Sequence, residues 1–248
     1  MAFLRTANPA LRPTTFESVR TGADAALSMT LQGTVNKTGI LLMLVAVCAT
    51  FTWNAYRTNP GDSVFWLLVG LFGGFIVALV TIFKKEWAVF TAPLYAVFEG
   101  LMLGALSATL EARYPGIAIQ AVGLTMGTLL AMLIAYTSGL IKPTQKFKTG
   151  VIAATGGIML VYLATMGLGF FGIRIPYIYN SGIVGIGFSL FVVVIAALNL
   201  VLDFDLIETG VSSAAPKFME WYCAFALLVT LVWLYLEMLR LLSKINRR

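Results

Sequence analysis

Apolar residues run along this chain in long blocks, and seven such blocks follow one another between about residue 38 and residue 239. They cover roughly 38–56, 64–83, 88–110, 117–141, 149–172, 178–202 and 218–239. Each is long enough to cross about 30 Å of hydrocarbon at about 1.5 Å per residue. A membrane barrel would show alternation of apolar and polar positions instead. Turn and helix-end signals separate the blocks: Asn59-Pro60-Gly61-Asp62, Lys84-Lys85-Glu86, Tyr114-Pro115-Gly116, Lys142-Pro143 and Ile175-Pro176. The pattern predicts an all-α polytopic membrane protein with seven transmembrane helices.

Ahead of the first block, residues 1–35 are polar and broken by Pro9, Pro13, Gly22 and Gly33, and they carry Arg5, Arg12 and Arg20 without a leading apolar region. This reads as a cytoplasmic amino-terminal arm rather than a signal or transit peptide, with a short amphipathic stretch near Ala25 to Leu31 on the membrane surface. Residues 36–242 form the transmembrane domain and residues 243–248 a basic tail. With 59% apolar and 11% charged residues in 248, seven spans use nearly the whole chain. No soluble catalytic domain fits.

The net charge of +6 lies at the ends of the apolar blocks rather than on one face, so it sets topology and does not mark a nucleic-acid partner. A cytoplasmic amino terminus puts Lys84, Lys85, Lys142, Lys146, Lys148 and Lys217 in cytoplasmic loops and leaves Arg57, Arg113 and Arg174 opposite. The tail, with Arg240, Lys244, Arg247 and Arg248, runs against that bias. Either the last block spans nonetheless, or the sixth and seventh form a re-entrant pair; the length of the seventh favours seven full spans. Gly70/Gly74, Gly100/Gly104 and Gly123/Gly127 at four-residue spacing, with Gly150, Gly156, Gly157, Gly182, Gly185 and Gly187, give small faces that predict close helix packing within the bundle, with a dimer face as the alternative. A monomer or weak oligomer is expected.

Chemistry is scarce. The chain has no histidine, which removes zinc-protease, Ser-His-Asp and haem-histidine sites, and Cys48 and Cys223 lie in apolar spans as small hydrophobes. No HExxH or rhomboid-type motif is present, and Gly182-Ile-Val-Gly185-Ile-Gly187 sits in an apolar span rather than a strand-to-helix loop, so the chain is not read as an enzyme. Acid is concentrated: four of the eleven carboxylates, Asp203, Asp205, Glu208 and Glu220, fall where the sixth block ends and the seventh begins. On a helix, Asn199 and Asp203 are four apart and Asp205 and Glu208 three apart, so they can present oxygen ligands to a hard cation such as Ca²⁺. Close carboxylates share protons, which makes such a site pH-sensitive. Glu99 lies deep in the third span with no basic residue near it in sequence, and an ionisable group at that depth suggests ion or proton passage.

Four stretches stand in order along the chain: Gln32-Gly-Thr-Val-Asn-Lys37, Ala92-Pro93-Leu94-Tyr95 through Glu99-Gly100-Leu101, Leu202-Asp203-Phe204-Asp205-Leu206-Ile207-Glu208, and Ala215-Pro216-Lys217-Phe218-Met219-Glu220-Trp221-Tyr222. Together they are similar to the bacterial Bax inhibitor-1/YccA (transmembrane Bax inhibitor motif) family. The resemblance implies a seven-helix bundle in a bacterial inner membrane with the last helix central. It also implies a pH-dependent calcium leak, gated from the cytoplasmic side where two aspartates on the last two helices share a proton. Asp203 matches the first aspartate. The interior of the seventh span, Trp221 to Leu236, holds no acid, so Glu220, Glu237, Asp205 or Glu99 would supply the second, and the charge-free stretch Val64 to Phe83 lacks the basic latch of the better-studied branch.

The expected gate, pH-sensor and cation-binding set is therefore Asp203, Asp205, Glu208, Glu220 and Glu99, with Asp203 and Glu220 as calcium ligands. No cofactor is expected, and calcium is the permeant or bound ion. Two other functions stay open. One is a non-conducting regulator whose arm binds a membrane-bound ATP-dependent protease, a partner the resemblance also implies. The other is a proton-coupled transporter using Glu99 and Asp203.

Overall fold

The computed structural model describes residues 28–171 and 182–247. The arm through residue 27, most of the expected surface stretch near Ala25, the Ile175-Pro176 turn with Arg174, and Arg248 lie outside them. Seven helices follow: α1 Leu31–Thr58, α2 Ser63–Phe83, α3 Ala88–Arg113, α4 Ile117–Thr137, α5 Gln145–Phe170, α6 Ile183–Ser212 and α7 Met219–Asn246. All seven are long and apolar enough to cross a membrane.

Local chemistry sets their ends. The Thr30 hydroxyl accepts the Gly33 N–H at 3.0 Å and starts α1, and Thr144 does the same for Phe147 at 3.3 Å in α5. Gly116, at φ 86°, turns the chain into α4. The Glu111 carboxylate then accepts the N–H groups of Gly116 and Ala118 at 2.6 and 3.0 Å, answering donors at the new helix's start. Glu111→Ala is expected to cost about 1–2 kcal/mol, the range of a lost helix cap, read as a lower thermal midpoint in detergent. Threonines inside the spans satisfy their hydroxyls on the preceding turn, as Thr38 does on the Thr34 carbonyl at 3.0 Å and Thr81 on that of Val77 at 2.8 Å.

α7 is the hub, packing against α6, α1, α3 and α4, while α2 lies on α3 and α3 on α1. The expectation of a central last helix holds because α7 carries apolar residues all round: Tyr222, Cys223, Ala224, Phe225 and Ala226 are all fully buried. Large apolar side chains such as Met43, Phe72, Phe90 and Ile119 are exposed on the outer helices, where lipid replaces water as their neighbour. α5 stands apart: the main core draws on the other six helices, and α5 joins through a small separate cluster around Ile158, Val192 and Ile195.

Small-residue packing is confined to part of the bundle. A Cβ on Gly70 would meet the Phe98 carbonyl oxygen at 2.5 Å and one on Gly100 the Val45 carbonyl oxygen at 2.6 Å, so α1, α2 and α3 touch backbone to backbone. Gly123, Gly127, Gly150, Gly156, Gly157, Gly182 and Gly187 meet nothing within 4 Å. The expected internal packing role is corrected at these positions, which lie on faces turned away from the core.

α6 and α7 are continuous helices of 30 and 28 residues, so the re-entrant alternative is discarded. α6 also runs ten residues further than the apolar block, carrying Asp203, Asp205 and Glu208 inside the helix instead of at its end. Its extra turns are held by Asp205 and Glu208, which pair with Lys148 of α5 and Tyr136 of α4.

Candidate functional site: a carboxylate cluster at the amino-terminal end of the bundle

Residues ahead of α1 are joined to those ahead of α7. Ser28 bridges Pro216, and the Met29 N–H donates to the Ala215 carbonyl at 2.6 Å. Beneath this contact sits Glu220, in the first turn of α7 and fully buried. Its Oε1 accepts the Thr30 N–H at 2.8 Å and the Thr30 hydroxyl at 2.9 Å, and pairs with Lys217 at 2.8 Å. Its Oε2 pairs with Lys37 from α1. Gly33 explains itself here, since a Cβ there would collide with the Glu220 carboxylate. Lys37 also lies over the Trp221 ring at 5.5 Å, and Lys85, just before α3, over Tyr222 at 6.0 Å. The starts of α1, α3 and α7 therefore share one end of the bundle.

The α6 acids belong to the same end. Asp203 is fully buried, and the enclosed Cys223 thiol of α7 is within electrostatic reach of both Asp203 and Glu220, so both carboxylates lie near the α6–α7 contact. Asp205 pairs with Lys148 near the start of α5. Glu208 accepts the Tyr136 hydroxyl from the end of α4. Each of Glu220, Asp205 and Glu208 thus ties its helix to another.

Glu99 is elsewhere. Its carboxylate faces α2, 3.1 Å from where a Cβ on Gly74 would be, and hydrogen-bonds Tyr95 one turn back. Its Oε2 is buried and has no partner among the described residues. The structure thus places four of the five expected acids at one end of the bundle, on contacts to different helices, and leaves Glu99 apart. Among the described residues no three carboxylate or thiol side chains form a metal-binding group. A cation at Glu220 would have to displace a lysine.

The pattern of the Bax inhibitor 1 like family matches this chain over residues 8–247. The chain belongs to the Bax inhibitor 1-like family. No curated protein and no solved structure gives a match. In this Bax inhibitor 1-like membrane protein, the family motifs map onto the geometry above: the Gln32–Lys37 stretch and the Ala215–Tyr222 stretch are the two sides of the Glu220 clamp. The residues that sequence reasoning left out as partners are Thr30, Lys37, Lys148, Lys217 and Tyr136. Only their placement beside motif acids could have signalled them, and in the chain Lys37 stands 183 residues from Glu220.

A second polar group closes the opposite end. Glu237 is buried in α7, and its Oε1 accepts the Tyr162 hydroxyl of α5 at 3.0 Å and Arg240 at 2.7 Å. Arg240 also lies over the Tyr162 ring at 4.8 Å. Lys244 reaches α6, donating to the Gly185 carbonyl at 3.0 Å and the Ser189 hydroxyl at 2.8 Å. Arg240 and Lys244, two of the basic residues near the carboxyl end, thus lie within α7 and bond inside the fold.

Proposed function

We propose that this protein is a pH-sensitive cation leak, with calcium as the favoured ion, in a bacterial inner membrane and with its amino-terminal end cytoplasmic. The observation that carries the reading is the pair of fully buried carboxylates, Asp203 and Glu220, at one end of α6 and α7, with Lys37 of α1 and Lys217, just ahead of α7, paired to Glu220. Lys37 and Lys217 answer the charge of Glu220 and Lys148 answers Asp205, so these pairs anchor the ends of the helices. A change of protonation at Asp203, buried at the α6–α7 contact, alters how those two helices meet, and calcium, which needs several oxygen ligands, competes with the lysines for the neighbouring carboxylates. Asp203 is the proposed sensor that couples α6 to α7.

The test is calcium entry into proteoliposomes between about pH 5 and 8, the window where buried carboxylates can titrate. Wild type is expected to conduct in a pH-dependent way. Asp203→Asn should lose that dependence. Glu99→Gln should keep it, because Glu99 lies outside the cluster. PH-dependent flux that survives in Asp203→Asn removes the sensor role.

A regulator is the second reading, and one observation favours it: the arm enters the bundle beside Pro216, directly over the Glu220 clamp. A protease complex gripping the arm would pull on that clamp. Deleting residues 1–27 separates the two, since a leak would persist and a partner-binding function would not.

A further inference from the structure

Thr125 of α4 carries a hydroxyl that the fold does not answer. The residue is 2% exposed, and its Oγ1 is buried with no partner among the described residues. Other threonines in the spans donate to the preceding turn, as Thr50 does to the Ala46 carbonyl at 2.8 Å and Thr109 to that of Ala105 at 2.8 Å. A buried donor in apolar surroundings costs free energy until an acceptor meets it.

Thr125 stands in the wall of a cavity of about 610 Å³ between α1, α3, α4 and α7, a volume typical of small-molecule sites. The wall is mainly aliphatic, with Leu103, Val122, Leu228 and Leu231. Thr50 is answered within its helix, and Glu111 by the N–H groups of Gly116 and Ala118. Ser107 and Tyr235 bond each other at 2.7 Å, a contact that uses one of their two hydroxyl hydrogens. A second donor therefore remains on the α3–α7 wall. Between α1 and α4 the cavity opens toward lipid, where Ala46 and Thr50 of one helix and Ile119 and Val122 of the other are exposed.

Depth decides what can answer these donors. α4 has 21 residues, so at about 1.5 Å per residue it just crosses a hydrocarbon core of about 30 Å, and Thr125 lies about 12 Å in from its start. The ester carbonyls of a phospholipid are tied to a charged headgroup at the interface and do not reach that depth, because burying the charge costs too much. A quinone carries carbonyl oxygens on opposite edges of a flat, uncharged ring that dissolves in hydrocarbon. Trp53, also in the wall, offers that ring an aromatic face.

We infer that this cavity binds an uncharged, carbonyl-bearing membrane lipid, a quinone, which enters between α1 and α4 and accepts hydrogen bonds from Thr125 and from the Ser107–Tyr235 pair. The site shares no residue with the carboxylate cluster and does not rest on the leak reading.

The experiment titrates the purified full chain in detergent with decylubiquinone and follows tryptophan fluorescence. A saturable quenching component is expected in wild type and is lost in Trp53→Phe. Thr125→Val should weaken binding about tenfold, the worth of one hydrogen bond made away from water, and Ser107→Ala/Tyr235→Phe should do the same. Thr155→Val, in the wall of the other cavity, should bind as wild type does. Without quinone, Thr125→Val should melt no lower than wild type, since it removes an unanswered hydroxyl, so its weaker binding is not a folding defect. Decylbenzene, with the same tail and no carbonyl, should bind at least about tenfold more weakly than the quinone. No saturable quenching in wild type, wild-type affinity in Thr125→Val, or equal affinity for decylbenzene overturns the site. Binding that depends on Thr125 for a fatty-acid methyl ester but is absent for the quinone overturns the quinone as occupant.

Discussion

Glu220→Ala is expected to destabilise the protein by about 3 kcal/mol, toward the lower end of the range for removing one partner of a buried charge pair. The lower end applies because Lys217 is half exposed and water can answer it, whereas Lys37 and the Thr30 N–H cannot be answered so well. The loss should be local in origin: the start of α1 and the Ser28–Pro216 bridge lose their anchor. Limited proteolysis with trypsin should therefore cut at Lys37 far faster in the variant, alongside a lower thermal midpoint in detergent. Lys217→Ala should cost much less, since Lys37 still pairs with Glu220. The double variant Lys37→Ala/Glu220→Ala should be less destabilised than the sum of the singles, because neither charge is then left alone. Additive losses would show that the two residues do not form a coupled clamp.

The clamp also shows how far the sequence could be read. Seven helices were legible because membrane spans need long apolar runs and because Pro, Gly and Lys mark the interruptions. Helix limits were less so. The sixth apolar block stops near residue 202, yet α6 continues to Ser212. Asp205 and Glu208 are carried by Lys148 and Tyr136, partners from other helices that restore the satisfaction hydropathy alone cannot see. α1 likewise begins at Leu31, where Thr30 caps it, well before its apolar block. The central position of α7 came from the family resemblance, and its physical reason is the uniform burial of its residues from Tyr222 to Ala226.

For the site, rarity was the useful signal. In a chain with little acid, four carboxylates close together in sequence pointed to one end of two helices, and the structure places all four at that end, each on its own contact. Their partners were not legible, because lysines near membrane ends also serve topology and nothing in one sequence separates the two uses. The packed face of α5 was not legible either, since its glycines suggested the side of Gly156 and Gly157, and a Cβ at those positions meets nothing within 4 Å.

That contrast between glycines yields the other large effect. Gly104→Ala is expected to destabilise the protein by about 3 kcal/mol, at the upper end of ordinary overpacking. A Cβ there would lie 2.6 Å from the Ala49 Cα and closer still to the Ala49 carbonyl oxygen and the Thr52 hydroxyl. Two of these three are backbone atoms of α1, so no rotamer change relieves the clash and the helices must part. Intrinsic propensity pulls the other way, since alanine is favoured over glycine inside a helix by about 1 kcal/mol. The sign therefore depends on the space available. Gly157→Ala is the control: its Cβ meets nothing within 4 Å, so the variant should be as stable as wild type or more so. Thermal unfolding of both in the same detergent decides the matter. A Gly104→Ala protein that melts with wild type would mean that α1 and α3 are not in backbone contact, and the α1–α3–α7 frame that holds the Glu220 clamp would lose its basis.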